Sequence, residues 1–222
     1  MAAQAVKKPK AESPAFATVL IAGTTKFAKG IDASDKLRDH KGNSAASMQL
    51  DIDNMVRTVK RKPGYGVLDT VLHDTDHMDT RTVLDTIKAA AEKAKRGVVL
   101  YFTGFGQKDT GNWCFVDGVV TLNEVVDTIR RQNKKLYIDI YCDCSYAGNW
   151  AEGVKSYEGK DALIFIYAAT VPGQQAHDSE DGGVYTMFIT EKKRPSDFHD
   201  LPKLERCYGR IDLHGNFGLQ AL

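Results

Sequence analysis

The densest chemistry in the chain lies in Asp143-Cys144-Ser145-Tyr146-Ala147-Gly148, where a thiol and a hydroxyl, the two commonest nucleophilic groups, follow a carboxylate. A hydroxyl attacks only when a base takes its proton, and a thiol only as the thiolate. Two further segments bear on that chemistry: Phe102-Thr103-Gly104-Phe105-Gly106, and the polar stretch from Gln174 to Thr186. His73-Asp74-Thr75-Asp76-His77-Met78-Asp79 adds five potential metal ligands in seven positions. Of these, His73, Asp74, Asp76 and His77 are the candidates for a divalent ion such as Zn²⁺, and Asp79 reads as a helix N-cap. As a set they read as a polar loop before a helix, and no metal or other cofactor is expected.

These groups need rigid elements behind them. From Leu136 to Ser145, apolar residues alternate with Tyr137, Asp139, Tyr141, Asp143 and Ser145, the period of a strand, with Gly148 expected to mark the break. Cys142 and Cys144 then share the core face as inert thiols, and Ser145 points the other way with Asp143. Phe16 to Ala22, Tyr65 to His73, Val98 to Phe102 and Ala162 to Ala169 read as further strands. Helices are expected from Ser44 to Lys62, stopped by Pro63-Gly64, and after Asp79, with Val83, Leu84, Ile87, Ala90, Ala91 and Ala94 inward and Gly97 as the stop. Thr121-Leu122-Asn123-Glu124 is a capping box for a third helix, and Val184 to Thr190 begins a fourth. Alternation of strands and helices predicts an α/β three-layer sandwich, a mostly parallel central sheet with helices on both faces.

The chain reads as one domain from residue 16 to 222 behind a small, basic, proline-containing tail at 1–15. Two strand-like pieces around His214-Gly215-Asn216 could add an edge hairpin, a surface for self-association. Thirty basic residues against twenty-nine acidic ones leave no electrostatic footprint for nucleic acid or an anionic membrane. With no signal-like or membrane-length apolar run and with Cys142 and Cys144 unsuited to pairing with each other, a cytoplasmic protein is expected. Gly23 to Gly30 lacks the residue order of a phosphate loop and supports nucleotide binding only faintly.

The Phe102–Gly106, Asp143–Gly148 and Gln174–Thr186 segments, in this order and on these elements, resemble the signature segments of the caspase-like cysteine peptidases. The metacaspase and orthocaspase branch is the most similar, with patterns Tyr-Ser-Gly-His-Gly, Asp-Ser-Cys-His/Tyr-Ser-Gly and a Gly-Gly-x-Phe-Thr helix start. The resemblance implies a caspase-like fold with a histidine base and a cysteine nucleophile at neighbouring strand ends. Registered on the glycines, Phe105 stands where the histidine belongs and Ser145 where the cysteine belongs. The degenerate pair implies a pseudoenzyme that works by protein binding, regulation or self-assembly. Gly104, Gly106, Asp143, Cys144, Tyr146, Gly148, Gln174 and Asp178 would outline the vestigial cleft. Asp143 resembles an acid of the pocket for basic side chains, or else holds local backbone N–H groups. Gln174, Gln175 and Asp178 are read as exposed loop residues, and Trp113 and Trp150 as either lids or packing. Calcium enters by family analogy alone. The alternative is an active hydrolase using Ser145 or Cys144 with a base from elsewhere, such as His73 or His177.

Overall fold

A computed structural model describes residues 14–33, 44–157, 163–179, 181–192, 209–211 and 217–218. Residues 1–13 of the expected 1–15 tail and His214-Gly215-Asn216 lie outside them. In chain order the elements are β1 (Phe16–Ala22), α1 (Ser44–Arg61), β2 (Val67–Leu72), α2 (Thr80–Lys93), β3 (Gly97–Thr103), β4 (Trp113–Cys114), β5 (Val119–Val120) and α3 (Leu122–Gln132). They continue with β6 (Tyr137–Asp143), α4 (Gly148–Gly153), β7 (Ile164–Ala168), β8 (Asp178–Ser179), β9 (Gly182–Gly183), α5 (Val184–Ile189), β10 (Gly209–Ile211) and β11 (Phe217–Gly218).

Seven strands form one sheet in the order β11-β10-β7-β6-β3-β1-β2. The five from β7 to β2 are parallel, and β10 and β11 extend the sheet antiparallel beyond β7. Near-continuous apolar runs such as Phe16–Ala22 and Gly97–Thr103 fit central parallel strands because both faces are covered. Ala17, Val19 and Ile21 join a cluster with α2, α3 and α4, whereas Leu20 and Ala22 join one with α1 and α5. The protein is therefore an α/β structure with helices packed on both faces of its sheet.

Helix boundaries follow local chemistry. Thr121 and Glu124 form the expected capping box, and Leu122, Val125, Val126 and Ile129 of α3 are buried. α2 starts at the expected cap, Asp79, but it ends in an extended Ala94 and Gly97 opens β3 instead of closing the helix. A Cβ at position 97 would lie 2.6 Å from the Phe16 ring, so that glycine serves strand packing.

The Asp79 carboxylate accepts the Thr82 N–H at 2.6 Å, and this bond holds its pKa below the ordinary aspartate value. Asp79→Ala is expected to lower stability by about 1 kcal/mol at neutral pH. A lowered folded-state pKa means that the contribution is present above the unfolded value, about 3.9, and is lost as pH falls through the folded one. Urea unfolding of the two proteins should differ at neutral pH and converge near pH 2, a pH chosen as roughly two units below that unfolded value.

Candidate functional site

β3 and β6 are parallel neighbours with Thr103 opposite Asp143, so the turns that follow them leave the carboxyl edge of the sheet side by side. That edge is where open α/β sheets place their ligands. The Gly104 N–H donates to the Asp143 carbonyl at 3.3 Å. A Cβ at Gly106 would lie 1.9 Å from the Ser145 carbonyl oxygen, and one at Gly104 would lie 2.6 Å from the Phe102 ring and 3.0 Å from Gly23. Gly106 is required because the two turns touch, and Gly104 because it lies against the Phe102 ring and Gly23.

Phe105 is buried, packed edge-on against Phe27 with ring centroids 5.1 Å apart, in the apolar cluster shared with α1 and α5. Ser145 is 2% exposed, and its Oγ accepts the Ala176 N–H at 3.0 Å. Among the described residues no imidazole hydrogen-bonds to Ser145, and His73 and His177 lie on the surface. Cys144 faces the opposite cluster with Cys142, Trp113, Ala147 and Trp150, as strand alternation requires. Burial pushes the Cys114 and Cys142 thiols up to about 12, which keeps them protonated and unreactive near neutral pH.

The strand break differs from the expected one. β6 ends at Asp143, and the chain reverses through Tyr146, whose φ of 60° is unusual for a bulky residue. Gly148 is the first residue of α4, and a Cβ there would lie 2.3 Å from the Val171–Pro172 backbone. Its role is close packing of α4 on that loop. The Tyr146 N–H donates to the Gln174 carbonyl at 2.7 Å, which ties the turn to the segment that follows β7.

Behind the turns lies a polar cluster enclosed by the fold. Asp143 is fully buried, and its Oδ2 accepts the Thr186 N–H at 3.0 Å and the Thr186 hydroxyl at 2.6 Å. Fully buried Asp51, on α1, accepts the Thr103 hydroxyl at 2.6 Å and the Gly183 N–H at 2.7 Å. The Tyr101 hydroxyl meets Thr186 Oγ1; burial first, then the Asp51 and Asp143 charges, push its pKa well above the usual phenol value. Gly182 and Gly183 bring the backbone against both acids, since a Cβ on Gly183 would lie 2.2 Å from Asp143 Oδ2. Asp143 thus caps the start of α5 with its carboxylate turned inward. Asp51 was not legible as a site residue, because the sequence shows only one more polar position in an amphipathic helix. The signal that could have found it is a Gly-Gly pair ahead of a helix, which demands a close approach by something bulky.

Asp178, expected on an exposed loop, is 7% exposed in β8, where it pairs with Gly183 across a two-residue ribbon. Gln174 and Gln175 are half-buried. Trp113 is sandwiched between Phe102 and Trp150, with both centroid separations 4.6 Å and interplanar angles of 11° and 22°. The two tryptophans are core residues and cover no cleft.

In the His73–Asp79 loop, Asp74 Oδ1 accepts the N–H groups of Asp76 and His77 at 3.1 and 3.0 Å, and Asp76 pairs with Lys26 at 3.0 Å. His77 Nδ1 lies 3.3 Å from the same Asp74 oxygen. Asp74 is engaged in turn geometry, and no group of three or more His, Cys, Asp or Glu converges among the described residues. In the Gly23 loop the N–H groups of Gly23, Thr25 and Lys26 donate to Thr103, Thr75 and Thr24, so they form no phosphate cradle. Among the described residues no helix is long and apolar enough to cross a membrane. No model of a known protein family and no curated protein matches the chain.

Proposed function

We propose that the chain is a caspase-like domain without peptidase activity, which acts in the cytoplasm by binding a protein partner or its own copies. The reading rests first on Phe105: a buried benzyl ring at the end of β3, beside the turn that carries Ser145, can neither accept a proton nor orient a hydroxyl. It is supported by the Ser145 hydroxyl, which is enclosed and engaged by the Ala176 N–H. Where a nucleophile and base act as a unit, removal of either costs on the order of 10⁶ in rate in the serine protease subtilisin. The edge hairpin formed by β10 and β11 is a surface suited to association, because β11 is one of the two edge strands of the sheet. Reduced, buried thiols suit a reducing compartment.

The test is incubation of the full chain with fluorogenic Arg, Lys and Asp peptides, with and without calcium, followed by light scattering over a range of concentrations. Turnover at the level of the Ser145→Ala variant is the expected result. Turnover above that level, abolished by Ser145→Ala, would establish a hydrolase and overturn the reading.

A further inference from the structure

The near-even totals of basic and acidic residues conceal a division by place. α1, α2 and α3 each link one parallel strand to a later one and so run back across the sheet, which brings all three helix ends to the amino edge, where β2, β3 and β6 begin. α1 ends in Lys60 and Arg61, followed by Lys62, and α2 ends in Lys93, followed by Lys95 and Arg96. α3 contributes Arg130 and Arg131, followed by Lys134 and Lys135. β2, β1, β3 and β6 are successive neighbours, so these groups occupy one strip about 14 Å from first strand to last at the usual strand spacing.

Acids do not balance this strip. Glu191 takes Lys62 at 2.6 Å and Asp69 takes Lys93 at 3.0 Å, Glu92 lies 3.9 Å from Lys88, and Asp139 is half-buried within the sheet. The other cations of the strip form no ion pair among the described residues. Acids such as Asp74, Asp76, Asp109 and Asp117 lie in loops at the opposite, carboxyl edge. A helix dipole favours bases in the last turn, but the effect fades within that turn and does not account for Lys95, Arg96, Lys134 and Lys135 in the loops beyond. All four are exposed.

Aromatic rings interrupt the charge. Phe16 and Tyr137, the first residues of β1 and β6, are half-buried and stand in register on either side of Gly97, the first residue of β3. Their ring centroids are 6.4 Å apart, and the Arg96 guanidinium lies 5.7 Å from the centre of the Phe16 ring.

We propose that the amino-edge strip binds single-stranded nucleic acid, with phosphates along the basic residues and a base stacked on the exposed part of the Phe16–Tyr137 pair. A nucleobase offers the flat π face that such rings hold, whereas an acidic peptide or a lipid headgroup offers charge alone and a duplex keeps its bases inside. The strip lies at the end of the sheet opposite Phe105 and Ser145 and is independent of them.

Fluorescence anisotropy of the full chain with a labelled oligothymidylate of about 20 nucleotides, longer than a typical single-domain site, tests the assignment. The expected result is saturable binding that weakens between about 50 and 200 mM salt with a logarithmic slope of about −2 or steeper, the mark of at least about three phosphates. Lys134→Glu with Lys135→Glu should weaken it at least about tenfold, and Tyr137→Leu about fivefold with the slope unchanged. Arg81→Glu with Lys108→Glu makes the same change in net charge at the carboxyl edge and should leave affinity within about twofold, since screening limits the reach of exposed charges. Unchanged urea midpoints for the two double variants would show that their folds are intact. Absence of saturable binding, or equal losses in the two double variants, would overturn the proposal. So would affinity unaltered by Tyr137→Leu, or polyglutamate, phosphatidylserine vesicles or a duplex of the same length bound as tightly as the single strand. None of these outcomes bears on peptidase activity.

Discussion

Gly183→Ala is expected to destabilise the protein by about 3 kcal/mol or more, at the upper end of the cost of overpacking a core. The added methyl would lie 2.2 Å from Asp143 Oδ2 and 3.0 Å from Asp51 Oδ2. Neither acid can withdraw cheaply. Asp143 is pinned by the Thr186 N–H and hydroxyl, and Asp51 by the Thr103 hydroxyl and by Gly183 itself. Displacing either leaves a buried carboxylate without its donors, and hydrogen bonds to charged groups are among the more valuable in a protein interior. Urea unfolding gives the measurement, with Gly64→Ala as the control whose Cβ enters open space and whose stability should stay within about 0.5 kcal/mol of the parent. A Gly183→Ala protein as stable as the control would show that the close approach of β9 to the two acids is not a feature of the folded state.

Trp113→Ala should cost about 3–5 kcal/mol, the range for truncating a buried large aromatic. The indole is fully buried between Phe102 and Trp150, so truncation opens a void between two flat rings. Trp113→Phe keeps part of the stack and should lose roughly half as much, in line with the volume dependence of cavity costs. The readout is the denaturant midpoint together with near-ultraviolet circular dichroism, where coupling of the stacked indoles should vanish in both variants. Retention of that signal in Trp113→Ala would exclude the stack as its source. The turn that carries Ala147 packs in the same apolar cluster as these rings, so the same variants also probe how firmly that turn is held.

The parts of the fold that were legible in the sequence are those with repetition. Phe16–Ala22 and Val98–Phe102 announce buried strands by unbroken apolar runs, and Thr121-Leu122-Asn123-Glu124 announces a helix start by a reciprocal pair of bonds between neighbours. The two-residue ribbons β4–β5 and β8–β9 were not legible, because two residues define no period. Gly97 and Gly148 look like stops in the sequence but serve close packing, since a glycine needed for packing looks the same in sequence as one needed for a turn.

At the site, the adjacency of the β3 and β6 ends is what the resemblance implies, whereas the enclosure of Asp143 and Ser145 is not legible in the sequence. Enclosure depends on Thr186 and Ala176, which lie far along the chain and carry no local mark of their role. The expected exposure of Asp178 failed for a related reason: a polar residue in a Gly-rich segment reads as surface until the segment is seen folding back over the strand ends.

The bond from the Gly183 N–H to Asp51 spans 132 residues, and the one from Thr186 to Asp143 spans 43, nearly all of them within the first loop. Contacts of such sequence separation must wait until the chain between them has been gathered, because closing the loop costs entropy before the bond repays it. The clasp between α1 and the start of α5 is accordingly one of the last things to form and one of the first barriers to opening. Damage to it should appear as faster unfolding with refolding scarcely slowed, so that Gly182-Gly183 governs how long the native state survives more than how quickly it is reached.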